Sequence, residues 1–152
     1  MRVHRLQRSE VLPIDLATAW AFFSDPRNLF TITPPDLNLV PVHEVPSTTH
    51  AGQIIVYTVR LAPLIRKTWV TEITHCEPPN VFVDEQRFGP YRFWHHRHGF
   101  TEVADGVRCD DEVHYAVPGG PLAGLIHKLM VRPQLERIFA YRSTALAERD
   151  WR

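Results

Sequence analysis

Cysteine is nearly absent from this 152-residue chain, which has only Cys76 and Cys109. Their spacing matches neither a metal ribbon nor a redox pair, so two reduced thiols are expected rather than a disulfide. Net charge is also missing. Seventeen Lys and Arg residues balance seventeen Asp and Glu. That argues against a nucleic-acid partner held by a broad basic surface, because phosphate contacts dominate such affinities. The chain has no run of about 18 apolar residues that could cross a membrane. No apolar stretch follows Met1-Arg2-Val3-His4-Arg5 to serve as a signal peptide. The expectations are no stable membrane insertion and a cytoplasmic location. No phosphate loop, nucleophile elbow or dinucleotide fingerprint occurs. Repeats, linkers and low-complexity tracts are absent too, so one domain is expected over residues 1–152. A chain of this length buries roughly 70% of its unfolded surface, enough for a core without staples.

Proline and histidine are plentiful, at thirteen and nine. The prolines divide the chain into short segments. Val3 to Leu12 reads as a strand that Pro13 stops. Asp15 stands before Leu16 to Phe23 as the cap of a short helix, with Leu16, Trp20 and Phe23 on one face. Asn28 to Ile32 adds a second short helical piece. Six strands are then expected: Leu37 to Val45, Gln53 to Leu61, Arg66 to Cys76, Val81 to Phe88, Tyr91 to Val103 and Val107 to Val117. Asp105-Gly106 is a strong hairpin signal between the last two. Short connections favour an antiparallel meander. After Pro118-Gly119-Gly120-Pro121 the chain is helical to Glu148. Leu122, Leu125, Ile126 and Leu129 follow helical spacing, and so do Leu135, Ile138, Phe139, Arg142 and Leu146. Pro133 should kink or split this helix. Only this helix is large enough to cover the sheet.

Strand alternation sorts the side chains. Anchoring on Trp94 and Phe100 takes His96 and His98 inward. Anchoring on Phe82 and Phe88 takes Asp84 and Gln86 inward. In the last strand Val113 and Tyr115 carry Asp111 with them, and Trp69, Thr71 and Ile73 face the same way. The opposite assignment would turn Phe93 and Val83 inward and leave the histidines in water. On the first assignment, Asp84, Gln86, His96, His98, Asp111 and Tyr115 share the concave face. That is more polarity than a simple core holds. Such groups must pair with one another, with water or with a ligand. Structural pairing, ligand contact and a catalytic role therefore all stay open for this row.

The stretch from Phe82 to Phe100 follows the pattern F-x-D-x-Q-x-x-G-P-x-x-x-W-x-H-x-H-x-F. It resembles a bacterial branch of the ligand-binding domains grouped with polyketide cyclases, START lipid-transfer domains and the birch-pollen allergen (the SRPBCC superfamily). Asp111 to Pro118, Ile138 to Arg142 and Asp15 to Pro34 resemble that branch as well. The resemblance implies an α+β helix-grip fold: a seven-stranded curved antiparallel sheet wrapped around a long C-terminal helix, with two short helices between strands 1 and 2. It also implies a hydrophobic cavity, but it does not settle chemistry, since relatives include enzymes, lipid carriers and proteins with no known ligand.

The expected function is binding, for transport or sensing, of a small hydrophobic molecule such as a lipid or polyketide-like compound. Its expected contacts are Trp69, Phe82, Asp84, Gln86, Trp94, His96, His98, Phe100, Asp111, Val113, Tyr115, Leu125 and Leu129. The alternative is a cyclase or dehydratase in which His96, His98 and Asp111 move protons, because an imidazole beside a carboxylate titrates near neutrality. A third reading makes the fold a scaffold for a protein partner. No cofactor is expected. His96 and His98 could share a metal with Asp84 or Asp111, but no third histidine stands at ligand spacing, so none is expected either. Oligomeric state is not legible in the pattern.

Overall fold

The hydrogen-bonded backbone of the computed structural model, which describes Met1–Arg152, forms one seven-stranded antiparallel sheet in the order β1-β7-β6-β5-β4-β3-β2. The strands are β1 (His4–Leu12), β2 (Val40–Pro41), β3 (Ile54–Ala62), β4 (Ile65–Glu77), β5 (Val81–Phe88), β6 (Phe93–Val103) and β7 (Gly106–Ala116). Between β1 and β2 lie helix α1 (Leu16–Phe23) and a 3-10 segment, Pro26–Ile32. Asp15 caps α1, its side chain accepting from the Thr18 backbone N–H at 2.7 Å. The β6–β7 turn needs its glycine. Gly106 has φ +139°, and a Cβ there would lie 2.0 Å from the Leu12 carbonyl oxygen.

The strand expected over Leu37 to Val45 shrinks to Val40–Pro41. Pro35–Leu37 instead forms a 3-10 turn, and Pro41 and Pro46 have no N–H to extend a ladder. The C-terminal helix is interrupted. A short α2 (Ala123–Ile126) runs into a π turn (His127–Val131) and then α3 (Arg132–Glu148). Pro133 sits in the first turn of α3, where its missing N–H costs least. The wide turn before it lets the helix pass the proline ring. No helix is long and apolar enough to cross a membrane.

Leu135, Phe139, Arg142 and Leu146 are the buried stripe of α3. One core gathers Phe22, Phe23, Phe82, Phe100, Val107 and Leu146. The other gathers Leu6, Trp94, Val113, Tyr115, Leu135 and Phe139. Each joins the concave face of the sheet to α3, so the sheet grips the helix.

Near the start of this helix the His4 and His127 rings stack at 3.5 Å, and the Tyr115 hydroxyl meets His127 Nε2 at 2.9 Å. Partial burial lowers both histidine pKa values below 6.5; Arg2 adds to the shift of His4, and His4, Arg132 and Arg2 to that of His127. A lowered folded pKa means the unfolded chain binds more protons in that window. The stack's contribution is therefore complete above about pH 6.5 and is lost as the pH falls. His127 should titrate below 6.5 in the folded protein by NMR, and amide exchange in α2 should quicken in acid. A His127 midpoint above 6.5 would refute this.

Candidate functional site

The central strands carry the polar wall. The β5–β6 register sets Phe82 opposite His98 and Asp84 opposite His96. The β6–β7 register sets His98 opposite Asp111 and His96 opposite Val113. All six share the concave face, and Phe82, Asp84, His96, His98 and Asp111 gather there into one cluster.

The cluster is tight. His98 Nε2 lies 2.6 Å from Asp84 Oδ2, and His96 Nε2 lies 2.8 Å from Asp111 Oδ1. The two imidazoles are 3.7 Å apart between ring centroids. Trp94 donates its Nε1–H to Asp84 Oδ1 at 3.3 Å. Arg142, reaching in from α3, sets Nη2 3.1 Å from Asp111 Oδ1. Phe82 stacks on His98 at 4.2 Å. His98 Nδ1 lies 3.3 Å from Asp111 Oδ1 but is too poorly aligned to bond, so it and Arg142 Nε are buried without a partner.

Burial pushes the Asp111 carboxyl upward, but the Arg142 guanidinium, the hydrogen bond of His96 and the nearby His98 imidazole outweigh it and hold it well below its ordinary range. Asp84 is likewise lowered, since its bond to His98 and the charge of His96 exceed the effect of burial. The histidines separate. Burial and the neighbouring His98 lower His96, whereas the two carboxylates raise His98 against its own burial. His98 therefore takes up a proton before His96. An ionised Asp111 only accepts, so its bond assigns the N–H of neutral His96 to Nε2 and leaves the Nδ1 lone pair toward Asp84, 3.6 Å away.

Beside the cluster is a cavity of about 230 Å³, and seventeen of its 27 lining residues are hydrophobic. Asp84, His96, His98 and Arg142 stand together on its wall, Thr49 and Thr71 add single polar groups, and the 3-10 segment supplies Asn28, Leu29 and Ile32. Of the residues expected at a ligand, Trp69, Phe82, Asp84, Trp94, His96 and His98 line this cavity. The others lie elsewhere. Asp111 is behind the histidines, 5% exposed, and Phe100 is 2% exposed in the core beside Trp20 and Phe23. Val113 is fully buried and Tyr115 is engaged with His127. Gln86 clasps the β5–β6 loop, donating to the Tyr91 carbonyl at 2.7 Å and accepting from its N–H at 3.1 Å. Gly89 makes room for that clasp, since a Cβ there would lie 2.4 Å from Gln86 Oε1. Leu125 and Leu129 are exposed, at 57% and 65%. They precede the π turn or lie within it, off the stripe that α3 buries.

Arg142, Tyr57, Leu135 and Phe139 also line the cavity and were not singled out as site residues from the sequence. Arg142 had a signal: it is the one charged residue in the stripe Leu135, Phe139, Arg142, Leu146. Neither cysteine belongs to the site. Both are free, and burial raises both thiols, Cys109 to about 12.

No protein-family profile matches this chain, and no curated protein matches it in sequence. Solved structures do match in fold. The Zhui aromatase/cyclase from Streptomyces sp. R1128 superposes with a TM-score of 0.73 at 15% identity, covering 97% of this chain and 93% of that one. TTHA0849 from Thermus thermophilus gives 0.71 at 16%, covering 97% and 95%. A norcoclaurine synthase from Thalictrum, solved with a transition-state analogue, gives 0.66 at 10%, covering 97% and 96%. The chain thus shares the helix-grip fold of these structures, as the resemblance of the Phe82–Phe100 motif implied.

Proposed function

We propose that this protein binds a small hydrophobic molecule in the cavity between the sheet and α3, for carriage or sensing. The observation that carries this reading is the cavity's division. Its walls are mostly apolar, while Asp84, His96, His98 and Arg142 stand together on one of them. A shape of this kind suits a molecule with an apolar body and one polar end. Size narrows the class. The cavity of about 230 Å³ exceeds the ~150 Å³ that holds a benzene and falls short of the ~300–1,000 Å³ typical of drug-sized ligands. One or two fused rings, or a short acyl chain, fit better than a tetracyclic polyketide or a diacyl lipid.

The supporting result would be uptake of a fluorescent apolar probe, displaced by compounds of that size and abolished by Ile55→Trp, which fills the cavity from β3. No uptake of any such probe, or uptake undiminished in a folded Ile55→Trp protein, would overturn it.

A cyclase or dehydratase activity is the second reading, favoured by one contact. His98 and Asp84 form a 2.6 Å pair that lines the cavity, with a second imidazole 3.7 Å away. In that reading one histidine takes a proton beside a substrate carbonyl while Arg142 stabilises the developing oxyanion. The Zhui aromatase/cyclase and the norcoclaurine synthase show that enzymes use this fold. Unchanged turnover in a His96→Ala/His98→Ala double variant would remove those residues from any such activity. The expectations of a cytoplasmic, single-domain protein with no nucleic-acid partner belong to this proposal as well.

A further inference from the structure

Asp84, His96 and His98 each offer one ligand atom, and the three atoms lie within 4.8 Å of one another. We propose that these residues form a binding site for a divalent first-row transition metal, with the ion's open positions facing the cavity. This stands on the ligand atoms and is independent of what the cavity holds.

Donor chemistry sets the class. Two imidazole nitrogens and one carboxylate oxygen suit zinc, cobalt or ferrous iron, whereas magnesium and calcium require mostly oxygen. Three protein ligands leave at least one position free, the pattern of sites that act on a bound molecule rather than merely staple a fold. The ligands are also individually aimed. Asp111 accepts from His96 Nε2 at 2.8 Å, which leaves Nδ1 for the metal, and a carboxylate behind a ligating imidazole is the usual orienting partner. Trp94 holds Asp84 Oδ1 at 3.3 Å, so Oδ2, now bonded to His98 Nε2, is the oxygen that would coordinate. Arg142 is bound to Asp111 rather than to Asp84, so the nearby cation neutralises the outer carboxylate and leaves the inner one for the ion.

As it stands the cluster is drawn together on a shared proton between Asp84 and His98. Bonds of about 2.0–2.2 Å would set tetrahedral ligand atoms about 3.3 Å apart. Here Asp84 Oδ2 lies 2.6 Å from His98 Nε2 and 3.6 Å from His96 Nδ1. Evening these distances takes a shift of the Asp84 carboxylate, and the imidazole centroids, now 3.7 Å apart, must part by more than about 1 Å for both nitrogens to point at one ion. His98 Nδ1, buried and unpartnered 3.3 Å from Asp111 Oδ1, would then donate to that carboxylate. Metal binding thus uses His96 Nδ1, which no side chain bonds, and gives the buried His98 Nδ1 a partner in Asp111.

The test uses tag-free full-length protein stripped with a chelator and dialysed against Zn²⁺ or Co²⁺ in excess Mg²⁺. One equivalent should be retained, and it should raise the melting temperature. A His114→Gln control, which removes a surface histidine, should retain it too, while an Asp84→Asn/His98→Gln protein should lose affinity by at least a hundredfold. Should that double variant fail to fold, paramagnetic shifts decide on the wild type. Co²⁺ must perturb the imidazole signals of His96 and His98 before those of His75 or His114. No retained ion, equal retention by the folded double variant, or shifts confined to surface histidines would each overturn the site.

Discussion

Asp111→Ala is expected to destabilise the protein by about 3–5 kcal/mol. Asp111 is 5% exposed, and its Oδ1 is bonded to His96 Nε2 and lies 3.1 Å from Arg142 Nη2 as an ion pair. Removing the carboxylate leaves a guanidinium, 8% exposed, without its counter-ion in the core. An uncompensated buried charge is among the few changes that cost so much, and a domain's whole stability is only about 5–15 kcal/mol. The double replacement Asp111→Leu/Arg142→Met should recover most of the loss, since it removes both charges and keeps the volume. Urea denaturation with an unchanged slope measures both. A single variant within about 1 kcal/mol of the wild type, the worth of one ordinary hydrogen bond, would show that Asp111 is not the buried counter-ion. A double variant no better than the single would show that the cost lies in packing instead.

Phe139→Ala should cost about 3–5 kcal/mol as well, but with a second consequence. Phe139 is 5% exposed, packs its ring 5.8 Å from His96 and lines the cavity. The vacated space joins the existing cavity, so larger probes should now bind. Phe100→Ala is the comparison. Phe100 is equally buried and packs on Trp20 and Phe23, but it does not line the cavity. It should cost a similar amount and leave the range of accepted probe sizes unchanged. Binding measured over probes of increasing ring count separates the two. If both variants broaden that range, or neither does, the cavity does not set ligand size.

The site was legible where a strand's period of two acted alone. Placing Trp94 and Phe100 inward carries His96 and His98 with them, and all four are buried. The same logic brought Asp84 and Asp111 to that face. It could not separate the cavity wall from the layer behind it. Asp111 and Tyr115 share a strand face with the histidines, yet one is covered by His96 and the other by His127. Gln86 shares a face with Asp84, but the loop it clasps takes both ends of its amide. Leu125 and Leu129 follow helical spacing ahead of Pro133, but spacing alone does not say which way that stripe faces, and it faces outward.

By itself the sequence determined the order of elements, the antiparallel sheet, the helix that closes it and which strand faces turn inward. These follow from local rules: alternation, proline and glycine punctuation, and the need to cover an apolar sheet. The tertiary structure alone decided which inward residues touch one another and which touch space. That Arg142 of α3 neutralises Asp111 of β7, and so leaves Asp84 with His96 and His98 at the cavity wall, depends on how the kinked helix lies across the curved sheet. Contacts between residues far apart in the chain are fixed by packing, and no local period encodes them.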